Sequence, residues 1–150
     1  MISLVLRNAN YQDSDFFFEL KNDTAALAFS VSKKKINKSD HQNWYKNQLK
    51  NNKNLLFVAE NNIKEKVGYV RYDMKDDAYI CSVNIKKKFR GMGFGKQLLL
   101  ESEKYLPTSS EIRAFISMAN RSSIKLFASC GYRYFSEYDD DFLIYNKEIN

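Results

Sequence analysis

The chain has 150 residues, with 24 Lys and Arg against 18 Asp and Glu, a formal charge of +6, 44% hydrophobic and 28% charged residues. These are globular values that exclude a disordered chain, and no apolar run approaches the roughly 20 residues of a membrane span. Cys81 and Cys130 lie far apart without a C-x-x-C motif, so neither a disulfide framework nor a metal site is expected.

The length fits one domain, residues 1–150, able to bury roughly 70% of its unfolded surface. Met1 to Arg7 is too short for a signal peptide's apolar region and has no basic leader, which makes a cytoplasmic protein the expectation. The positive charge does not point to nucleic acid. Lys outnumbers Arg 18 to 6, and Arg is the better bidentate reader of bases and phosphates. Neither a nucleic-acid nor a membrane partner is expected, and the assembly is a monomer or homodimer.

In chain order, Ser3 to Arg7 is a short apolar run suited to a first strand. Asp13 or Ser14 can cap a helix through about Asn22, with Phe16, Phe17 and Leu20 on its buried side. Ala25 to Asn37 is ambiguous. Ser39 or Asp40 can cap a second helix, in which His41, Trp44, Tyr45, Gln48 and Leu49 share one face. Three alternating runs, Asn54–Glu60, Lys66–Met74 and Ala78–Ile85, are joined by Asn61-Asn62 and Asp76-Asp77 turns and form an antiparallel meander. A glycine-rich segment leads into a helix reaching about Leu106, where Pro107 stops it. A strand (Ile112 to Ser117), a short helix (Ser122 to Ser129), a Gly131 stop and two strands around an Asp139-Asp140-Asp141 turn complete the chain. The order reads as a mixed α/β fold with a mostly antiparallel sheet and about four helices.

The segment Arg90-Gly91-Met92-Gly93-Phe94-Gly95-Lys96 carries the strongest chemical signal. Glycines between a strand and a helix let the backbone approach a ligand, and the amides and dipole of a helix start suit a phosphate. The first helical turn holds no Asp or Glu that would serve the same amides. The spacing is not that of a P-loop, because Lys96 is followed by Gln97 and the glycine five positions earlier is replaced by Arg90. It is not a dinucleotide fingerprint either, since the third glycine position is Lys96.

Arg90-x-x-Gly93-x-Gly95 after the fourth strand, and Asn120-x-x-Ser123-x-x-Leu126-Phe127 followed by Gly131-Tyr132, resemble the two signatures of the GNAT superfamily of acyl-CoA-dependent N-acetyltransferases. The resemblance covers nearly the whole chain. It implies a GNAT-like fold and acetyl-CoA as co-substrate, held at Arg90, Gly91, Met92, Gly93, Phe94, Gly95 and Lys96. It further implies that the Val83 and Ile85 backbone pairs with the pantetheine arm, and that Asn120, Ser123 and Phe127 line its thiol end. Two positions depart from the family pattern: Phe127 replaces a Tyr that protonates the departing thiolate, and Ile80 replaces an acidic residue.

A further pattern, Asn22-Asp23, Ser30, His41-x-x-Trp44-Tyr45 and Val70-Arg71-x-Asp73, resembles a GNAT subgroup of bacterial nucleotide-amino-sugar pathways. His41, the sole histidine, titrates near neutrality and is a candidate base; a helix-face histidine bonded to backbone is the alternative. Asp73 is a second candidate base, and Arg71 on the same strand face a substrate contact, unless the two form a plain ion pair. Trp44 can stack on a sugar or pack in the core, and Tyr79 can bind substrate or pack. The expected function is acetyl transfer to a small-molecule primary amine, foremost that of a nucleotide-linked amino sugar. A protein N-terminus or amino acid as acceptor, and a non-catalytic acyl-CoA-binding module, are the alternatives.

Overall fold

Alternating apolar residues become strands and spaced apolar residues become helices almost where the periodicities place them. The computed structural model describes residues 3–150. Strand β1 (Val5–Asn8) is followed by a one-turn 3-10 helix (Tyr11–Asp13), α1 (Ser14–Lys21), α2 (Thr24–Ala28) and α3 (Lys38–Lys50). The meander is β2 (Leu55–Glu60), β3 (Lys66–Lys75) and β4 (Ala78–Ile85). Then come α4 (Phe94–Glu103), β5 (Glu111–Ser117), α5 (Arg121–Ser129), β6 (Arg133–Tyr138) and β7 (Phe142–Glu148). The strands form one seven-stranded sheet in the order β1-β2-β3-β4-β5-β7-β6, antiparallel except for β4 beside β5.

The fold class is the expected one, with differences at element ends. Five α-helices are present among the described residues rather than about four, because Asp23 caps a short α2 inside the ambiguous segment by accepting from Ala25 and Ala26 N–H. The α3 cap is Asn37, not Ser39 or Asp40; its side chain accepts from Asp40 N–H at 2.8 Å. Helix α4 ends at Glu103, three residues before Leu106, in a turn that precedes Pro107. Asp76 and Asp77 both adopt positive φ, as a tight hairpin turn requires.

Two apolar clusters cover the two faces of the sheet. On one face, Leu98 and Leu99 of α4 and Phe127 of α5 pack on Val70, Tyr72, Cys81 and Ile112 of the sheet, among others. On the opposite face, Phe16, Phe17 and Leu20 of α1 and Tyr45 of α3 pack on Val58 and Tyr69. His41 belongs to this second packing layer and is 1% exposed. Its Nε2 lies 2.8 Å from the Ser14 carbonyl, to which it donates, and its ring sits among Phe18, Trp44 and Tyr45. The expectation of His41 as a base is therefore corrected: the imidazole ties α3 to α1. Burial holds its pKa below the ordinary histidine value.

Asp13 does not cap α1 through its side chain. It is 1% exposed and accepts from the two terminal Arg7 guanidinium nitrogens, Lys66 Nζ and the Asn10 N–H, each at 2.8 Å. Burial alone would raise its pKa, but these donors hold it well below the usual carboxylate range. The cluster fastens β1, the 3-10 turn and β3 together. Asp13→Asn removes the buried counter-charge and lowers unfolding free energy by about 3 kcal/mol at pH 7. The difference from wild type narrows below about pH 4, where the unfolded carboxylate takes up protons; denaturant titrations at pH 7 and pH 3 check both.

His41 adds a second dependence. With its folded pKa lowered, the unfolded state binds more protons below about pH 6.5, so stability falls on acidification through that window. His41→Gln flattens this slope between pH 7 and pH 5, read from urea midpoints.

Candidate active site

Strands β4 and β5 pair only at Tyr79–Ile112 and Ile80–Arg113 and then part. β4 stays paired to β3 through Ile85, and β5 to β7 through Ser117. The Lys86 N–H donates to the Val67 carbonyl at 2.8 Å. Strand alternation therefore turns the backbone groups of Ser82 and Asn84 toward β3 and those of Cys81, Val83 and Ile85 toward the gap. The gap opens into a cleft of about 1440 Å³ that runs between the two halves of the sheet.

One end of the cleft is formed by the loop from β4 to α4. Gly91 (φ +79) and Gly93 (φ +82) are both left-handed, and a Cβ at either would meet nothing within 4 Å, so the backbone borders open space. Gly93 is the α4 N-cap; no side chain caps the helix and its first turn holds no acidic residue. The first amides of α4 are thus free for an external anion. Gly95 serves helix packing instead. A Cβ there would come within 3.1 Å of Leu126 Cδ2, so its lack of a side chain lets α5 lie against α4.

Arg90, Gly91, Gly93, Phe94, Gly95 and Lys96 line this end. Met92 does not: its side chain points to solvent, 58% exposed. Arg90 is also less free than expected. Its Nε donates to the Ile85 carbonyl at 2.9 Å and its Nη2 to Asp23 at 3.0 Å, which ties the loop to the start of α2. Burial raises the Asp23 pKa, but Arg90 and the α2 amides hold it below its ordinary value. Lys86 to Lys88 do not line the cleft, and Lys88 pairs with Glu65.

Val83, Ile85, Asn120, Ser123 and Phe127 line the middle. Asn120 caps α5, accepting from Ser123 N–H at 3.2 Å. Phe127 packs edge-on against Tyr132, with ring centroids 5.0 Å apart. Tyr132 offers no substitute hydroxyl at the cleft; it is buried and donates to Glu103 at 2.7 Å. Burial raises its pKa further.

The far end lies on the sheet face of α1 and α3. Arg71 stands opposite Ser82 and Asp73 opposite Ile80, and all four line the cleft. Arg71 Nη1 bonds Asp73 Oδ2, while Arg71 Nε and Asp73 Oδ1 are buried without a protein partner. Tyr79 points to the opposite face and packs edge-on against Tyr72, so it is corrected from a substrate contact to a core residue. Trp44 does not line the cleft either. Its ring instead carries Lys21 Nζ at 3.3 Å and Arg71 Cζ at 5.1 Å, so it supports two cations rather than presenting a face to a sugar. Lys21, Ser82, Arg113 and Phe115 also line this end and were not singled out from the sequence. Lys21 is an ordinary last-turn helix lysine by pattern; only packing brings it here.

No group of three or more His, Cys, Asp or Glu among the described residues could hold a metal ion, and no helix there is long and apolar enough to cross a membrane. The fold is shared with a spermidine N-acetyltransferase from Vibrio cholerae in complex with CoA and spermine, at TM-score 0.86 and 17% identity, covering 97% of this chain and 95% of that one. It is also shared with a candidate phosphinothricin N-acetyltransferase (TM-score 0.83, 23% identity, 99% of both chains). A third is YncA, a candidate acetyltransferase from Salmonella typhimurium with its cofactor acetyl-CoA (TM-score 0.81, 18% identity, 99% of this chain and 95% of that one). No curated protein matches the chain by sequence. Residues 14–132 match the model of the acetyltransferase (GNAT) family, and the chain therefore belongs to that family, as an acetyl-CoA-dependent N-acetyltransferase of the GNAT type.

Proposed function

We propose that the chain acetylates the primary amine of a nucleotide-linked amino sugar, with acetyl-CoA held at the glycine end of the cleft and the amine presented at Arg71 and Asp73. The observation that carries this reading is the continuity of one cleft from the Gly91–Gly93 cradle, along the unpaired edge of β4, to the Arg71–Asp73 pair. The residues fit the group: the left-handed glycines and uncapped α4 amides suit a pyrophosphate, and the Val83 backbone and the Ile85 N–H suit the amides of a pantetheine arm, the Ile85 carbonyl being taken by Arg90.

Bound acetyl-CoA supplies a thioester, whose acyl carbon accepts the amine as the N–C bond forms and the C–S bond breaks. Asp73 Oδ1, buried and unpartnered, accepts a hydrogen bond from the amine and then its proton. Arg71 holds the Asp73 carboxylate in place through Oδ2. The Val83 N–H, turned into the gap, donates to the thioester oxygen. Much of the rate comes from holding the two substrates side by side in the cleft. Phe127 cannot protonate the departing sulfur, so that proton comes from the Ser123 hydroxyl, one turn earlier on the same cleft-facing stripe, or from water.

Three readouts test this. Gly93→Val places a side chain in the cradle and forces a left-handed φ on a β-branched residue, so CoA binding by calorimetry falls beyond detection; retained affinity breaks the cradle assignment. Asp73→Asn lowers kcat by roughly 100-fold or more with CoA affinity unchanged, measured as thiol release. Mass spectrometry of UDP-linked amino sugars incubated with acetyl-CoA shows one added acetyl group. Reaction only with peptide or amino-acid amines overturns the sugar assignment, and CoA binding without turnover of any amine favours a non-catalytic module.

A further inference from the structure

The α1–α3 end of the cleft carries more positive charge than acetyl transfer to an amine calls for. Lys21, the last residue of α1, reaches over the Trp44 ring at 3.3 Å, and Arg71 approaches the same ring at 5.1 Å. The carboxylate beside them, Asp73, pairs with Arg71 and leaves the trio one positive charge in excess. Lys34, Lys75 and Arg113 also line this end, Arg113 paired with Glu111 at 3.3 Å, and Asp76 is the one further acidic side chain in the lining among the described residues. Leaving aside the paired Arg113, Lys21, Arg71, Lys34 and Lys75 face only Asp73 and Asp76, a more basic ratio than the 24 to 18 of the whole chain.

Two like charges brought together away from bulk water raise the free energy of the empty site, and an anion between them lowers it. Burial and the neighbouring Arg71 push the Lys21 ammonium down to about 8. Arg71 Nε, buried with no acceptor, has a donor left to give. The Trp44 indole contacts both cations without neutralising them.

We propose that Lys21 and Arg71, seated on Trp44, form an anion subsite that binds a phosphate or carboxylate carried by the acceptor molecule and so excludes polycationic amines. The subsite rests on the reading that places the acceptor amine at Arg71 and Asp73. It adds Lys21 as a specificity-determining residue and defines the substrate class as an amine with an anionic group a short span away. Asp73 takes the amine's end of such a molecule, and the cation pair takes its anionic end.

The test compares matched amines on the CoA-loaded protein, where the glycine cradle is already filled. Glucosamine 6-phosphate against glucosamine reads the phosphate arm, an amino acid against its amide reads the carboxylate arm, and spermidine is the polycation. Calorimetry gives affinity without turnover, and thiol release from acetyl-CoA gives kcat/KM. The expected result is a preference of about tenfold or more for the anionic member of at least one pair, and a rejection of spermidine. Lys21→Met collapses that preference toward one, mainly through KM, and Lys21→Arg restores it. Equal binding of both members in both pairs, tighter binding of spermidine, or a preference untouched by Lys21→Met overturns the subsite. CoA affinity, measured separately in each variant, reports on the parent reading: intact CoA binding and acetylation of neutral amines without anion preference leave the transferase assignment standing and the subsite refuted.

Discussion

The structure depends on one broken pairing. β4 and β5 run parallel and touch at two residue pairs, after which each keeps its other neighbour and they diverge. Sheet twist favours such divergence once hydrogen bonds cease, and the helices on either side prevent the gap from closing: Leu98 and Leu99 of α4 and Phe127 of α5 fill the space beneath it. Unpaired strand groups inside a dry core are costly. Here they border an open cleft, where a ligand's amides can take the place of the missing strand. The glycine loop lies at one end of this edge because only a 3-10 turn, Lys87–Phe89, separates it from β4.

The alternation of β3 and β4 divides labour between the two faces of the sheet. Val70, Tyr72, Cys81 and Val83 point toward α4 and α5, while Tyr69, Arg71, Asp73 and Ser82 point toward α1 and α3. The first face is packed and includes a polar network in which Tyr132 and Lys147 both reach Glu103 and Tyr72 meets Ser102. Those hydroxyls are committed to structure. The second face is only partly covered, because α2 and the segment that follows it stand off from the sheet and leave the charged end of the cleft accessible. Arg90 joins the two ends by binding Asp23, which caps α2, so the glycine loop and the wall of the charged end share one ion pair.

The ambiguity of single side chains in the sequence had a common physical origin. A residue's face follows from strand or helix period, but which neighbour it meets depends on distant segments. His41, Trp44 and Tyr45 were correctly placed on one helix face. That face turned out to be the one packed on α1, which made His41 a buried donor to Ser14 and not a base. Tyr79 and Asp73 are six residues apart across a hairpin, yet they point to opposite faces. Lys21 carried no signal because its place over Trp44 depends on α1 and α3 lying side by side.

By itself, the sequence determined the meander, the α/β class and the glycine loop that starts α4. These rest on local chemistry: alternation sets strands, positive φ selects glycine at Gly91 and Gly93, and a helix start without acids leaves amides for an anion. The two spaced signatures also led to the family to which the chain belongs. Tertiary structure alone decided the splay of β4 from β5, the reassignment of Gly95 to helix packing, the engagement of Arg90 with Asp23, and the meeting of Lys21, Arg71 and Trp44. Each of these is a contact between segments far apart in the chain, fixed by how layers pack and not by any residue's own conformational preference.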